Sequence, residues 1–241
     1  MTDHGLSERV ALVTGASGGI GAAISRVLAE AGATVALGYG RNGERAEQLA
    51  SELDGSAAFG ANLEDPEAPA RLIAEVGERL GAVDLLVVNH GLGKVVAWDE
   101  LDAESFDRTI AINLRAPFLL AQAALPGMLE RGYGRVLFIS SLAALRGGVV
   151  GPDYAASKAG LHGMTHFLAS RVAAGGVTVN AIAPGFVETE MLPGDPAELG
   201  KRIPIGRVGR PEEVAELALA VLTNGFITSK VFPIDGGMYP R

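Results

Sequence analysis

The chain has 241 residues, 48% of them hydrophobic, 20% charged and 5% aromatic, a balance that suits one compact α/β domain with a substantial core. It contains no cysteine, which excludes disulfides, thiolate catalysis and cysteine-ligated metal sites. A formal net charge of −8 argues against a general nucleic-acid-binding surface; no apolar run is long enough for a membrane span and no signal-peptide pattern opens the chain, so a cytoplasmic enzyme is the expectation.

Residues 1–8 read as a polar tail. Arg9-Val-Ala-Leu-Val13 reads as a buried strand. Thr14-Gly-Ala-Ser-Gly-Gly-Ile-Gly21 follows at once, and Ala22 to Ala31 continues with helical spacing up to Gly32. Strand, glycine turn and helix in that order form a nucleotide-binding context. Gly15, Gly18, Gly19 and Gly21, with Ser17 and Ile20 between them, let the backbone turn tightly and approach a pyrophosphate. The helix N-terminus adds free N–H groups and a partial positive charge.

Thr34-Val-Ala-Leu37 is the second strand, followed by Gly38-Tyr39-Gly40-Arg41-Asn42. Asn42 to Leu53 reads as a short amphipathic helix, Ser56 to Gly60 as the third strand and Glu64 to Leu80 as another helix. Val83 to Val88 is the fourth strand, leading into Asn89-His90-Gly91. Leu101 to Arg131 is a long helical region containing Asn113, with break points at Pro117 or Pro126. Arg135-Val-Leu-Phe-Ile139 is a further buried strand, which puts Ser141 at its carboxyl end. From Asp153 the chain suits a helix with Pro152 and Asp153 at its start. Val177 to Ile182 is the sixth strand and runs into Ala183-Pro184-Gly185-Phe186-Val187-Glu188-Thr189. Residues 190–203 read as a loop, Gly206 to Val214 as the approach to a helix with Pro211 in its first turn, and Val231 to Gly237 as the last strand and tail. Strands alternating with helices predict an α/β, doubly wound domain spanning 1–241, with a seven-stranded parallel sheet and right-handed crossovers. A nucleotide then lies across the carboxyl ends of the strands, at the switch point.

Tyr154 and Lys158 are four apart and project from one helix face. A phenol has an ordinary pKa of about 10, and bringing it to about 7 takes about 4 kcal/mol of differential stabilisation. An ammonium one turn away acts in that direction. A serine hydroxyl at a strand end then holds a substrate carbonyl oxygen while the tyrosine delivers a proton to it.

Thr14-Gly15, Gly19-Ile20-Gly21, Asn113, Ser141, Tyr154 and Lys158, in this order and spacing, resemble the short-chain dehydrogenase/reductase family from about Arg9 to the C-terminus. The resemblance implies a Rossmann fold and a catalytic set of Asn113, Ser141, Tyr154 and Lys158. It implies that Lys158 also binds the nicotinamide ribose, and that Asn113 sits at a helix distortion and feeds a proton relay. Further cofactor contacts follow by the same resemblance: Asn62 and Leu63 at adenine, Asn89 and Gly91 beside the cofactor, and Pro184, Gly185, Val187 and Thr189 at the nicotinamide carboxamide. Two positions depart from the family's Asn-Asn-Ala-Gly segment, Val88 and His90. His90 is either a tolerated replacement for a small residue near the cofactor or a contact to substrate, with Ser141 and Tyr154, or to cofactor.

An acid at the end of the second strand would favour NAD. The chain has Tyr39 there, with Arg41 two residues on, where a guanidinium suits a ribose phosphate, so NADPH is the expected cofactor over NADH. Residues 190–203 correspond to a short substrate lid. Among subfamilies the chain is most similar to 3-oxoacyl-acyl-carrier-protein reductases, through Asn180 to Met191, Ile205 to Val214 and Ile234 to Tyr239. That implies reduction of a carrier-bound 3-oxoacyl thioester in fatty-acid or polyketide-type biosynthesis, with acyl carrier protein as partner. Gly132 and Gly175 stand where such reductases carry arginines for the carrier, and Arg131, Arg135 and Arg171 lie nearby to replace them. The alternatives are an alcohol or sugar dehydrogenase acting on a free small molecule and a nucleotide-sensing regulatory protein. His4, His162 and His166 have no partners at metal-ligand spacing, so no metal is expected. The family pairs its two long helices, here Leu101–Arg131 and Asp153–Ala174, across a two-fold axis, which implies a homotetramer.

Overall fold

The computed structural model describes residues 5–239. Seven strands form one sheet: β1 (Val10–Thr14), β2 (Thr34–Tyr39), β3 (Ala57–Gly60), β4 (Val83–Val88), β5 (Gly134–Ile139), β6 (Val177–Pro184) and β7 (Val231–Ile234). Their order is β3-β2-β1-β4-β5-β6-β7 and every pairing is parallel. The expected doubly wound α/β fold is thus present. β1, β4, β5 and β6 are buried along their whole length, so their sequences are mostly apolar rather than alternating, with Asp84, Arg135, Thr178 and Asn180 buried among them.

One face is covered by α1 (Gly19–Glu30) and α9 (Pro211–Thr223), where Ile24, Leu28, Val214 and Val221 pack on Leu85 and Leu137. The other is covered by α3 (Ala68–Arg79), α5 (Ala116–Glu130) and α7 (Pro152–Val172), where Leu72, Leu120, Met128 and Leu161 pack on Phe59 and Phe138. The chain leaves β1 towards β2 and returns on the other side to β4. The loops after β1 and β4 therefore start side by side, with Thr14 in register with Val88, and a crevice opens there.

Several boundaries differ from the sequence reading. Within the supposed polar tail, Leu6 is 1% exposed and belongs to the core, while residues 1–4 lie outside the described residues. β2 runs on to Tyr39 and β6 to Pro184. α3 begins at Ala68, not Glu64. Asp65 precedes a proline, which disfavours helix, and the Asn62 and Asp65 side chains instead accept from the backbone amides of Glu64 and Glu67 at 3.2 and 3.0 Å.

The long helical region is interrupted at neither proline. α4 (Ala103–Ile110) passes through one wide π turn, Ala111–Arg115, into α5; Pro117 lies in the first turn of α5 and Pro126 sits inside it. A short helix α8 (Pro196–Gly200) occupies part of the stretch read as loop, with Asp195 capping it by accepting from the Ala197 amide at 3.0 Å, and a short helix α6 (Ala143–Arg146) follows β5, where the sequence predicts no element. α2 (Gly43–Glu52) matches its expectation closely.

Candidate active site

The carboxyl ends of β1, β4, β5 and β6 open onto a cleft of about 960 Å³. Its walls include Gly15, Ser17, Gly18, Gly19, Ile20, Arg41, Asn89, His90, Gly91, Ser141, Tyr154, Lys158, Pro184, Gly185, Val187 and Thr189. A second cavity of about 350 Å³ adjoins it, lined by Tyr39, Asn62 and Leu63 and sharing Gly15, Arg41, His90 and Gly91. Gly21 and Asn113 lie behind these walls, buried, and act on the cleft through their neighbours.

The glycine loop is shaped for close approach. Gly15 has φ +65°, and a Cβ there would sit 3.0 Å from Asn89 Nδ2. A Cβ on Gly21 would lie 2.2 Å from the Gly15 carbonyl oxygen. The N-cap of α1 is Gly18, which supplies no side-chain cap, so the first amides of the helix face the cleft without an internal acceptor. Free helix amides above a cradle without side chains are the donor set that a dinucleotide pyrophosphate takes, and the residues present fit such a cofactor. Around the second cavity, the Tyr39 ring lies across Gly43 and Gly60, where a Cβ would meet it at 3.0 and 3.1 Å. Arg41 is exposed and has no ion-pair or hydrogen-bond partner among the described residues. Glu64, the acid lining this cavity, is paired with Arg108 at 3.1 Å.

The segment after β4 links the loop to the chemistry. Asn89 donates from Nδ2 to the Gly15 carbonyl at 3.1 Å, and the amides of Asn89 and His90 donate to Thr14 Oγ1 at 3.1 and 3.3 Å. Two residues on, the Leu92 amide donates to Asn113 Oδ1 and Asn113 Nδ2 donates to the Leu92 carbonyl, both at 2.7 Å. Asn113 Nδ2 also reaches Ser157 Oγ at 3.2 Å, and Ser157 Oγ donates to the Tyr154 carbonyl at 2.8 Å. The π turn thus presents Asn113 as the tie between the β4 end and the first turn of α7. Ser157 was not singled out from the sequence; its position three residues after Tyr154, on the same helix face, is the signal that would have found it.

At the end of β5, Ser141 Oγ accepts from the Ala143 amide at 3.1 Å. Lys158 is buried, and its Nζ donates to the Ile139 carbonyl at 2.9 Å, 5.9 Å from the centre of the Tyr154 ring. Ser140 Oγ donates to the Lys158 carbonyl at 3.1 Å and so fixes α7 on the strand end. Burial pulls the Lys158 ammonium down to about 8, so it still carries its charge at neutral pH.

Burial also raises the Tyr154 phenol, and a hydrogen bond from Ser141 only partly offsets it. The sequence expectation is a tyrosine depressed by the lysine; here burial sets the direction, and Lys158 Nζ is directed at the Ile139 carbonyl, 5.9 Å from the centre of the ring. Tyr154 therefore keeps its proton throughout the neutral range, the state a proton donor needs.

His90 is placed differently from a substrate contact. Its Nδ1 lies 2.7 Å from Thr14 Oγ1 and its Nε2 lies 3.0 Å from the Ile112 carbonyl. Both ring nitrogens are taken by protein groups, so the ring has no polar atom left to offer a substrate. Burial, with the Lys158 charge added, holds it neutral with a pKa of about 4. His162 pairs with Ser140 Oγ at 2.8 Å and His166 with Ser229 Oγ at 3.1 Å. Among the described residues no group of three or more metal-ligating side chains comes together.

Beyond Thr189, Glu190 forms an ion pair with Arg45 of α2. Arg146 and Arg202, which the sequence reading passed over, add two guanidinium groups to the cleft wall, Arg146 donating to the Met238 carbonyl at 3.0 Å. Two of the arginines proposed to meet a carrier protein are committed internally. Arg131 bonds Asp84 and the Val83 carbonyl, and Arg135 bonds the carbonyls of Leu222, Gly134 and Gly176. No described helix is long and apolar enough to cross a membrane.

Comparison with known proteins agrees with this geometry. The short chain dehydrogenase family matches residues 9–199. An acetoacetyl-CoA reductase of Rhizobium meliloti is 40% identical over 239 residues, 96% of this chain and 99% of the relative. A 3-oxoacyl-[acyl-carrier-protein] reductase of Rickettsia bellii is 40% identical over 240 residues, 97% of this chain and 98% of the relative. The crystal structure of a dehydrogenase/reductase from Sinorhizobium meliloti superposes with a TM-score of 0.90 at 38% identity, covering 98% of this chain and 97% of that one. With the glycine loop, the π-turn asparagine and the serine, tyrosine and lysine gathered on one cleft, and relatives matched end to end, this chain belongs to the short-chain dehydrogenase/reductase family of oxidoreductases.

Proposed function

We propose that the protein is an NADPH-dependent ketoreductase that converts a 3-oxoacyl thioester to the 3-hydroxyacyl form. The observation that carries this reading is the convergence of Tyr154, Ser141 and a buried Lys158 on the cleft that the glycine loop also lines. The nicotinamide supplies the hydride when bound. Ser141 Oγ holds the substrate carbonyl oxygen, and Tyr154 donates its proton to that oxygen. Lys158 binds the nicotinamide ribose and keeps positive charge beside the developing alkoxide. Asn113 fixes the first turn of α7 through Ser157 and borders the route by which Tyr154 regains its proton. Residues 190–203 form the lid over the substrate. The test is turnover of a panel of 3-oxoacyl thioesters with NADPH; no consumption with any ketone would overturn the reading in favour of a nucleotide sensor.

Arg41 supports NADPH. It has no partner among the described residues, lines both cavities, and the acid lining the second cavity is already paired with Arg108. Arg41→Ala is expected to raise KM for NADPH by about tenfold, the loss of roughly one charged hydrogen bond, and to leave KM for NADH nearly unchanged. A wild type that works better with NADH would refute the assignment.

For the acyl carrier, the carrier-protein reading stands beside one in which the thioester is of coenzyme A. The internal commitment of Arg131 and Arg135 favours the second, because a carrier protein is acidic and needs free cations to dock. Comparing kcat/KM for the same acyl group on the two carriers separates them.

A homotetramer is the proposed assembly. Phe118 and Leu129 on α5 and Phe167 on α7 are 39%, 40% and 60% exposed, large apolar side chains that an interface would cover. Of the small residues on α7, Gly160 faces Leu114 and Ala169 the chain's own core, while Ala156, Ala159 and Gly163 face outward. Light scattering at micromolar concentration is expected to read about four times 24.8 kDa. A stable active monomer would sink the assignment.

A further inference from the structure

Where the family pattern has a small residue, this chain has an imidazole held at both nitrogens. We infer that His90 is a positioning residue: its ring ties the Ile112 carbonyl in the π turn to Thr14 at the end of β1, and so fixes Asn113 beside Lys158.

The argument starts from the tautomer. A carbonyl oxygen only accepts, so the 3.0 Å contact with Ile112 requires a proton on Nε2. The ring is neutral, so Nδ1 is bare and accepts from the Thr14 hydroxyl at 2.7 Å. Thr14 Oγ1 in turn accepts from the amides of Asn89 and His90. The single Thr14 hydroxyl proton goes to Nδ1 at 2.7 Å rather than to the Val87 carbonyl at 3.5 Å, so one tautomer pairs both ring nitrogens.

A π turn widens the helix and takes its carbonyls out of the ordinary pairing. Ile112 is the residue before Asn113, so a bond to its carbonyl sets the plane from which the asparagine side chain leaves. His90 also begins the segment that meets that side chain, since Leu92 exchanges two bonds with Asn113. Gly91 lies between them so closely that a Cβ there would be 3.3 Å from Lys158 Nζ and 3.6 Å from Asn113 Oδ1. A small residue at position 90 leaves the Ile112 carbonyl without this partner and the turn free to shift.

The catalytic part of the test rests on the ketoreductase reading; the spectroscopic part does not. Asparagine places an amide near the position of Nδ1 and glutamine near that of Nε2, so the two variants separate the bonds. His90→Ala and His90→Asn are expected to lower kcat on the order of tenfold to a hundredfold with little change in cofactor KM, and His90→Gln to restore most of it. Independently of turnover, nitrogen NMR of the wild-type ring at pH 7 is expected to show a protonated Nε2 and a bare Nδ1. Hydrogen exchange at the Leu92 amide is expected to quicken in His90→Ala and His90→Asn and to stay slow in His90→Gln. Should His90→Ala fold poorly, the Asn and Gln pair still decides. Equal kcat and equal Leu92 exchange in those two variants, or a ring protonated on Nδ1, would overturn the inference. Unchanged Leu92 exchange in His90→Asn would do the same even if the wild type reduces no ketone.

Discussion

Tyr154→Phe is expected to lower kcat for ketone reduction by about a hundred- to ten-thousandfold, the range for removing a general acid. The change keeps the ring, its packing and the helix, and deletes one hydroxyl. Cofactor affinity should therefore survive, because Lys158 Nζ takes its position from the Ile139 carbonyl and not from the phenol. The pH profile supplies a second check. Lys158 titrates at about 8 and its charged form is the lower-pH one, so reduction should hold through neutral pH and fall as pH rises above about 8. Tyr154, raised by burial, keeps its proton across that limb. Retention of most turnover in Tyr154→Phe would remove the phenol from the mechanism.

The second large effect lies in the glycine loop. A Cβ on Gly21 would meet the Gly15 carbonyl oxygen at 2.2 Å, the Gly15 carbonyl carbon at 2.9 Å and Asn89 Nδ2 at 2.6 Å. Two of these neighbours are backbone and cannot rotate away. Gly21→Ala must displace the loop, break the Asn89–Gly15 bond, or both. We expect a stability loss of about 1–3 kcal/mol, as in overpacked cores, together with a severe loss of nucleotide affinity. Gly77→Ala is the control: its Cβ meets nothing within 4 Å on the exposed side of α3, and the change should be neutral or slightly stabilising. Calorimetric titration with NADPH and thermal melts read both effects; wild-type affinity in Gly21→Ala would show that the loop does not cradle the nucleotide.

Much of this protein is legible from local sequence because the controlling physics is local. Fully buried parallel strands are mostly apolar, so the stretches Arg9 to Val13, Val83 to Val88 and Val177 to Ile182 announce themselves to within a residue or two of the strands that form. Tyr154 and Lys158 share a face because a helix repeats every 3.6 residues. The glycines at 15, 19 and 21 announce a tight loop because backbone at φ +65° and contacts of 2.2 Å admit little else.

What the tertiary structure alone decided depends on residues far apart in the chain. The break in the long helical region fell at Ala111–Arg115, not at Pro117 or Pro126, because Asn113 and the Ile112 carbonyl find partners in Leu92 and His90 more than twenty residues away. Arg131 and Arg135 look free in sequence but are bound to carbonyls and to Asp84 once β4 and β6 flank β5. The direction of the Tyr154 shift reversed for the same reason. Spacing on a helix sets which groups are neighbours, whereas the sign of a pKa shift depends on how much water the surrounding elements exclude, and that is a property of the packed fold.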